Sequence, residues 1–577
     1  MTHLHAIVLW RVKIYLNCQE VATRESRHFF SVLLGTFAKS FYLCTRKLCV
    51  SMRKYPIGIQ TFSEVITGGY VYVDKTDLVW QLKEISKYVF LSRPRRFGKS
   101  LLSSTLESYF RGEKDLFEGL KIMAHEKEWN QHPVFRIDLS IAKGQASADA
   151  LRARLMLLLK DFTGVYGKDD DEVTPGGMME GLIKRAYRKT GRQVVVIIDE
   201  YDAPLLDVLH EQDHLDAMRM VMQEFYQPLK ACEAMVRFCF ITGITKFSQL
   251  SIFSTLNNLK NISMLPAFSA ICGITEEEVK TVFAEEISQM GQQYGYSSEQ
   301  MFLNIKEMYD GYHFAAKSSD IYNPFSLLNA FADKELHDYW FATGTPSYLT
   351  HQLQVFRTDI TAMDNIIVPS SAFDQPTENM QDALPLLYQC GYLTIKDYDR
   401  ESKMYTLSIP NQEVRVGYTQ GLLPLFVGLT SSNVQSGFAL QFWKALKDGD
   451  ADLAMREMQA YLAGIPYVEG FKKKLEDAAT AEGFYEYTLY LIFSMLNIYV
   501  RTQVKCAKGR TDMVVWMPHT TYVFELKTNG TARQALEQIE TNQYALPYQA
   551  FGRQVVKIGC KFNVETRTLE DWLIKAD

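Results

Sequence analysis

From residue 55 to about 271 the chain alternates short, almost wholly apolar runs with stretches whose apolar residues recur at helical spacing. The runs predict strands over 88–91, 134–139, 194–198 and 236–242. A strand covered on both faces is apolar at nearly every position, which is the pattern of a parallel sheet flanked by helices. Between the runs, Leu102, Leu106, Tyr109 and Phe110 fall at i, i+4, i+7 and i+8, one face of a helix. The alternation predicts βαβ units. The acidic, turn-rich KDDDEVTPGG at 168–177 predicts a surface loop.

The pattern changes beyond this region. From about 275 to 426 it is helical and rich in aromatics, with YDGYHF at 309–314 and YNPFSLLNAF at 322–331. The segment 384–411 predicts a helix followed by a two-stranded wing, hence a helical or winged-helix-like region over 275–426. Residues 427–480 read as a helical connector. From Gly483 a helix, a hairpin, a second helix and a strand are expected, which places an α/β domain at 481–577. The chain shows no internal repeat and no low-complexity segment.

At 577 residues the chain exceeds a single core, in keeping with several domains. A net charge of −5 provides no global field for a polyanion, so nucleic acid would have to meet local patches. Nine cysteines without a CxxC pair form neither a disulfide framework nor a zinc site, and the expected compartment is the reducing cytoplasm. Residues 1–51 differ from the rest, with seven Lys/Arg against two Glu and three of the cysteines. The apolar stretch 29–44 contains Lys39 and is too short to span a bilayer, so no membrane association is expected. Globular patterning begins beside Met52, and residues 1–51 are expected to be an over-extended or disordered start.

Candidate chemistry sits at two places. SRPRRFGKS (92–100) lies between the apolar run YVFL and an amphipathic helix, the context of a phosphate-binding loop. There Lys99 would reach the β- and γ-phosphates, Ser100 would ligate Mg²⁺, and Gly98 and the helix N-terminus would approach the phosphates. Arg93 stands where the consensus has glycine. With Arg95 and Arg96 it forms a basic cluster that either stabilises charge in cis or compensates for that glycine. Downstream, VVVIIDE (194–200) is a buried strand ending in two carboxylates: Asp199 would hold Mg²⁺ through water and Glu200 would orient the attacking water. Together the two motifs predict nucleotide binding over 52–274, with ATP and Mg²⁺ as cofactors. Thr242, Thr245 and Lys246, at the end of the 236–242 strand, are either γ-phosphate sensors or turn residues.

The second place is GRTDMVVWMPHTTYVFELK (509–527), two apolar strands joined at a turn containing Pro518. Glu525 and Lys527, two apart, share a face, and antiparallel pairing brings Asp512 beside them. Two carboxylates and a lysine suit Mg²⁺-assisted phosphodiester hydrolysis, Asp512 and Glu525 as metal ligands and Lys527 acting on water. Glu486 on the preceding helix is expected to supply a third carboxylate, and Gln538 on the following helix an amide. Against strong nonspecific nucleic-acid binding, 481–577 holds eleven Lys/Arg and ten Asp/Glu, so phosphate affinity would be modest and salt-sensitive.

YPIGIQTFSEVI, YVDKTDLV, FLSRPRRFGKSLLSSTLESYF, VVVIIDEYDAPL, ITGITKFSQLSIFSTLNNL and YDGYHF resemble the AAA-ATPase-like family abundant in gut Bacteroidetes. GRTDMVVW, YVFELK and ALEQI resemble the PD-(D/E)XK nuclease domain that commonly closes those chains. The resemblance runs from about Arg53 to the C-terminus. It implies a P-loop fold of the additional-strand class, a restriction-endonuclease-like C-terminal α/β domain, and RPRRFGKS as the family's own form of the loop. Two functions stay open: an ATPase controlling a nuclease for DNA or RNA, in defence or mobile-element biology, or an ATP-gated switch that binds nucleic acid or a partner without cutting. The oligomeric state is open too.

Overall fold

The four apolar runs form β1 (Tyr88–Ser92), β2 (Val134–Asp138), β3 (Val194–Asp199) and β4 (Val236–Gly243), and the two-residue β5 (Lys260–Asn261) joins them. The computed structural model describes residues 53–209, 211–246, 259–340, 363–375, 382–418, 441–463, 499–506, 508–517, 519–549, 554–566 and 568–576, with Leu349, Leu353, Phe356, Met380, Tyr485 and Leu489 besides. The expected start at Met52, Pro518 and Glu486 lie outside them. Of the described residues, 53–55 and Gly69–Val71 fall in a small unit of their own, in which Lys54 bridges Tyr70 and the Lys54 carbonyl accepts from the Val71 N–H at 2.8 Å. Everything else belongs to the second unit.

All five strands are parallel, in the order β2-β3-β4-β1-β5. β4 therefore separates the loop-bearing β1 from the acid-bearing β3, as the resemblance implies. Every residue of β1 and β3 is buried, which is why their sequences are apolar throughout rather than alternating. The loop expected over 168–177 is shorter than its composition suggests. Thr174 caps the helix Pro175–Thr190, its hydroxyl accepting from the Gly177 N–H at 3.2 Å, so Pro175 opens the helix at the position where proline costs least.

Next come the short pair β6 (Ile274–Thr275) and β7 (Ile321–Tyr322), with helices Glu276–Val282, Ala284–Tyr294, Ser298–Tyr309 and Pro324–Asp333. The helix Leu384–Cys390 then leads into an antiparallel sheet of β8 (Ile366–Pro369), β9 (Thr394–Asp399) and β10 (Met404–Ser408), in the order β8-β10-β9. The wing thus has a third strand that the sequence did not announce.

The C-terminal sheet runs β11 (Tyr499–Cys506), β12 (Gly509–Trp516), β13 (Thr520–Lys527), β14 (Gln554–Asn563) and β15 (Thr568–Ala576), side by side in chain order. Only β13 and β14 are parallel, and the helix Ala532–Thr541 makes their crossover. In the connector, helix Ala451–Ala463 packs on this sheet: the Gln459 amide donates to the Leu569 carbonyl at 2.7 Å, and the Trp572 indole donates to Asp452 at 2.9 Å. Among the described residues no helix is long and apolar enough to cross a membrane.

Candidate functional site

β1 ends at Ser92 and the chain turns through residues 93–98 into the helix Lys99–Phe110. Free N–H groups of that first turn face the loop, as at any helix start. Lys99 is buried, and its Nζ donates to the carbonyls of Arg93 and Pro94, each at 3.1 Å. A cleft of about 320 Å³ opens here. Arg95, Arg96, Gly98, Lys99, Ser100 and Glu200 line it on the loop side, and residues 56–60 with the helix Pro324–Asp333 close it. The Arg96 guanidinium lies 4.6 Å over the ring of Phe325 on that helix.

Asp199 and Glu200 complete this site. Burial pushes the Asp199 carboxyl above its ordinary range, while the Ser100 hydroxyl and the Lys99 ammonium oppose the push. Its Oδ1 accepts from the Glu200 N–H at 3.1 Å, and its Oδ2 is buried with no hydrogen-bond partner. An orphaned carboxylate oxygen costs free energy unless something else meets it. Beside a serine hydroxyl and a lysine it fits a nucleotide-bound Mg²⁺. Burial also raises Glu200, with Lys99 opposing and Asp199 adding to the rise. Glu200 has a φ of 49°, a left-handed backbone that non-glycine residues adopt rarely and mostly at functional positions.

The structure gives other partners to several side chains expected at the phosphates. Arg93 is turned away from the cleft. Its guanidinium is buried, donates to the carbonyls of Ser92 (3.0 Å), Ser263 (2.8 Å) and Phe268 (3.1 Å), and stacks 4.2 Å over Phe314. Burial pushes it down to about 10. Three carbonyls and an aromatic face hold that charge inside the protein, so it props the loop from behind. Thr242 sits within the sheet, its hydroxyl donating to the Leu91 carbonyl at 2.7 Å. Thr245 donates to Asp202 at 2.6 Å. Lys246 pairs with Asp374, and its backbone N–H donates to the Gln389 side chain at 2.8 Å.

Asp202 was missing from the candidates read in the sequence. Its buried carboxylate accepts from the backbone of Ile244 (3.1 Å) and Thr245 (2.7 Å) besides the Thr245 hydroxyl, tying the chain after β3 to the end of β4. Its signal was a third acid in VVVIIDEYD, three residues after Asp199.

In the C-terminal sheet β12 and β13 pair antiparallel, with Met513 opposite Phe524 as the last partners at this end. The next residues, Asp512 and Glu525, share the opposite face. Here the ladder gives way to a side-chain bond, Asp512 Oδ2 accepting from the Leu526 N–H at 2.8 Å. Lys527 donates to Glu525 Oε1 at 3.2 Å, and the Gln538 amide donates to the same oxygen. Gln538 arrives because its helix lies directly on β14: a Cβ on Gly559 would stand 2.4 Å from the Ala532 carbonyl oxygen. Asp512, Glu525 and Lys527 therefore lie together, and the Gln538 amide, expected to meet water or backbone, joins them at Glu525.

Burial, with Asp512 adding to it, pushes the Glu525 carboxyl up to about 7; burial also raises Asp512. Glu525 Oε2 is buried and has no hydrogen-bond partner. Two close carboxylates with an orphaned oxygen fit one hard divalent cation. No group of three or more His, Cys, Asp or Glu that could hold a metal occurs among the described residues; Mg²⁺ is commonly held by one or two carboxylates and keeps several waters.

Residues 56–253 match the family described as Predicted AAA-ATPase, and residues 480–572 match the PD-(D/E)XK nuclease superfamily. A curated relative, an uncharacterized protein in the vnfD 5' region of Azotobacter chroococcum mcd 1, is 33% identical over 537 residues, covering 91% of this chain and 100% of the relative. The chain belongs to the family of that Azotobacter protein, and joins a predicted AAA-ATPase domain to a C-terminal domain of the PD-(D/E)XK nuclease superfamily.

Proposed function

We propose that this protein binds and hydrolyses ATP at the loop cleft and that its nucleotide state controls a Mg²⁺-dependent phosphodiester-cleaving site in the C-terminal domain. The observation that carries the cleavage reading is Glu525: one oxygen is held by Lys527 and Gln538, and the other is buried, unpartnered and beside Asp512. A carboxylate set in that way is paid for by the cation it awaits.

At the first site Lys99 leaves the loop carbonyls for the phosphates, and the helix N-terminus and Arg95 and Arg96 add positive charge. Ser100 and Asp199 would hold the metal, and Glu200 orients water and takes its proton, for which a raised carboxyl is suited. At the second site Asp512 and Glu525 would be the ligands, Lys527 faces the attacking water or the developing phosphate charge, and Gln538 keeps Glu525 in place. Bound Mg²⁺ supplies charge neutralisation at both sites and a more acidic water at the second.

On the far side of the loop, ties run to the wing region, through which a change of nucleotide state would pass. Lys246 joins the end of β4 to Asp374 and Gln389 of the wing region, and the Trp340 indole donates to the Arg95 carbonyl at 3.4 Å. The same Trp340 donates its backbone N–H to Glu413 at 2.7 Å. One observation favours a second reading, an ATP-gated switch that binds without cutting: the near-neutral balance of 481–577, which limits phosphate affinity.

Calorimetric titration of Mn²⁺ or Mg²⁺ into the full chain tests the proposed ligands of the C-terminal site. Asp512→Ala and Glu525→Ala should each weaken a metal-binding event that Lys527→Ala preserves. Metal affinity untouched by either carboxylate variant would rule out the proposed ligands.

A further inference from the structure

We infer that the cleft discriminates adenine from guanine nucleotides through Asn329. This rests on the reading of residues 93–100 as the phosphate loop and goes further, to the base.

The cleft walls differ in chemistry. On the loop side they are cationic and polar. Away from it, Ile57, Ile59 and Leu328 offer apolar surface, with Gln60 and Asn329 as polar side chains among them. Apolar walls with a few fixed polar groups are what a nucleobase needs, since the walls take its faces and the polar groups read its edge.

The helix Pro324–Asp333 sets the spacing. Asn323 caps it, its side chain accepting from the N–H groups of Phe325 at 2.9 Å and Ser326 at 3.3 Å. Phe325 carries the Arg96 guanidinium on its ring, which anchors the first turn at the phosphate loop. Leu328 and Asn329 follow three and four residues later, on the same face and about 5.4 Å further along the axis. Phosphates at the loop thus direct a base toward Leu328 and Asn329.

Asn329 has a fixed orientation. Its Nδ2 donates to the Phe325 carbonyl at 2.7 Å, which fixes the amide plane and spends one of its two N–H groups on the helix backbone. Oδ1 is then the acceptor that this amide offers a base. Adenine carries a donor, its N6 amino group, where guanine carries the O6 acceptor. The acceptor of Asn329 pairs with the first and opposes the second, and a site built on a hydrogen bond rejects the analogue that cannot make it.

The test uses the full chain and three probes: ATP, GTP and inorganic tripolyphosphate. The wild type should bind ATP at least about 10-fold more tightly than GTP, the discrimination expected of one well-placed edge contact. Asn329→Leu should bring the two nucleotides close to equal affinity and leave tripolyphosphate binding as in the wild type, which also reports that the loop is folded. Equal affinity for ATP and GTP in the wild type, or an undiminished ATP preference in Asn329→Leu, would overturn the inference while the phosphate reading stands. A wild type that binds neither tripolyphosphate nor nucleotide would overturn the phosphate reading itself.

Discussion

Gly391 and Pro94 meet so closely that a Cβ built on Gly391 would stand 2.7 Å from the Cβ of Pro94. Gly391 ends the helix Leu384–Cys390 with a φ of 88°, and Pro94 lies in the phosphate loop. The loop is therefore shaped from behind, by the wing region through this contact and by Phe314, ahead of β7, through the Arg93 guanidinium over its ring.

Gly391→Ala should cost about 1–3 kcal/mol of stability, from left-handed backbone strain together with the collision, and should weaken ATP binding. Gly191 is the control. It has a similar positive φ of 66° but open space around it, so Gly191→Ala should bring the strain alone and leave ATP affinity unchanged. Melting curves and nucleotide titrations on both variants check this. Equal nucleotide affinity in the two would mean that the contact does not shape the loop.

Lys99→Ala should abolish measurable ATP binding, since the ammonium already lies over the loop carbonyls that phosphates would displace. Glu200→Gln should bind ATP normally and turn it over about 10²–10⁴-fold more slowly, the usual worth of a positioned general base. Nucleotide titration measures the binding and single-turnover hydrolysis the turnover. A Glu200→Gln rate equal to wild type would move the base elsewhere, with Asp202 excluded by its three bonds to the β4 end.

Glu413 supplies a pH dependence away from both sites. Burial pushes its carboxyl up to about 8, opposed by hydrogen bonds from the Trp340 backbone and the Ser326 hydroxyl. In the unfolded chain a glutamate titrates near about 4.3. Between these values the folded chain keeps a proton that the unfolded chain releases, so stability falls as pH rises through this window and levels above it. Glu413→Gln keeps an acceptor oxygen and has no such proton. It should melt above the wild type at about pH 9 and converge with it at about pH 4. A constant difference across that range would show that Glu413 does not titrate as assigned.

Much of this was legible because buried parallel strands leave unbroken apolar runs, and β1 to β4 were bounded within one residue by that signal alone. β5 is two exposed residues, Lys260 and Asn261, with no pattern to find. β15 was hidden for another reason: as an edge strand it carries Glu570, Asp571 and Lys575 on a largely solvated ribbon. In the C-terminal site, period-two spacing sufficed to group Asp512, Glu525 and Lys527. At the loop, composition misled. Arg93 reads as one more cation of RPRR, and only the folded chain brings the carbonyls of Ser263 and Phe268 round to receive it. Thr242 was misread similarly, because its hydroxyl is used by the neighbouring strand, a partner 151 positions away.

The central claim, ATP control of a metal-dependent phosphodiester-cleaving site, is tested most directly by cleavage of end-labelled DNA and RNA by the full chain in Mg²⁺, with and without ATP. The wild type should cut at least one of these substrates at a rate that ATP changes. Lys99→Ala should lose the response to ATP, and Glu525→Gln should lose cleavage while still hydrolysing ATP. Cleavage by Glu525→Gln at the wild-type rate, or a wild type that binds metal and cuts none of the substrates with or without ATP, would contradict the account.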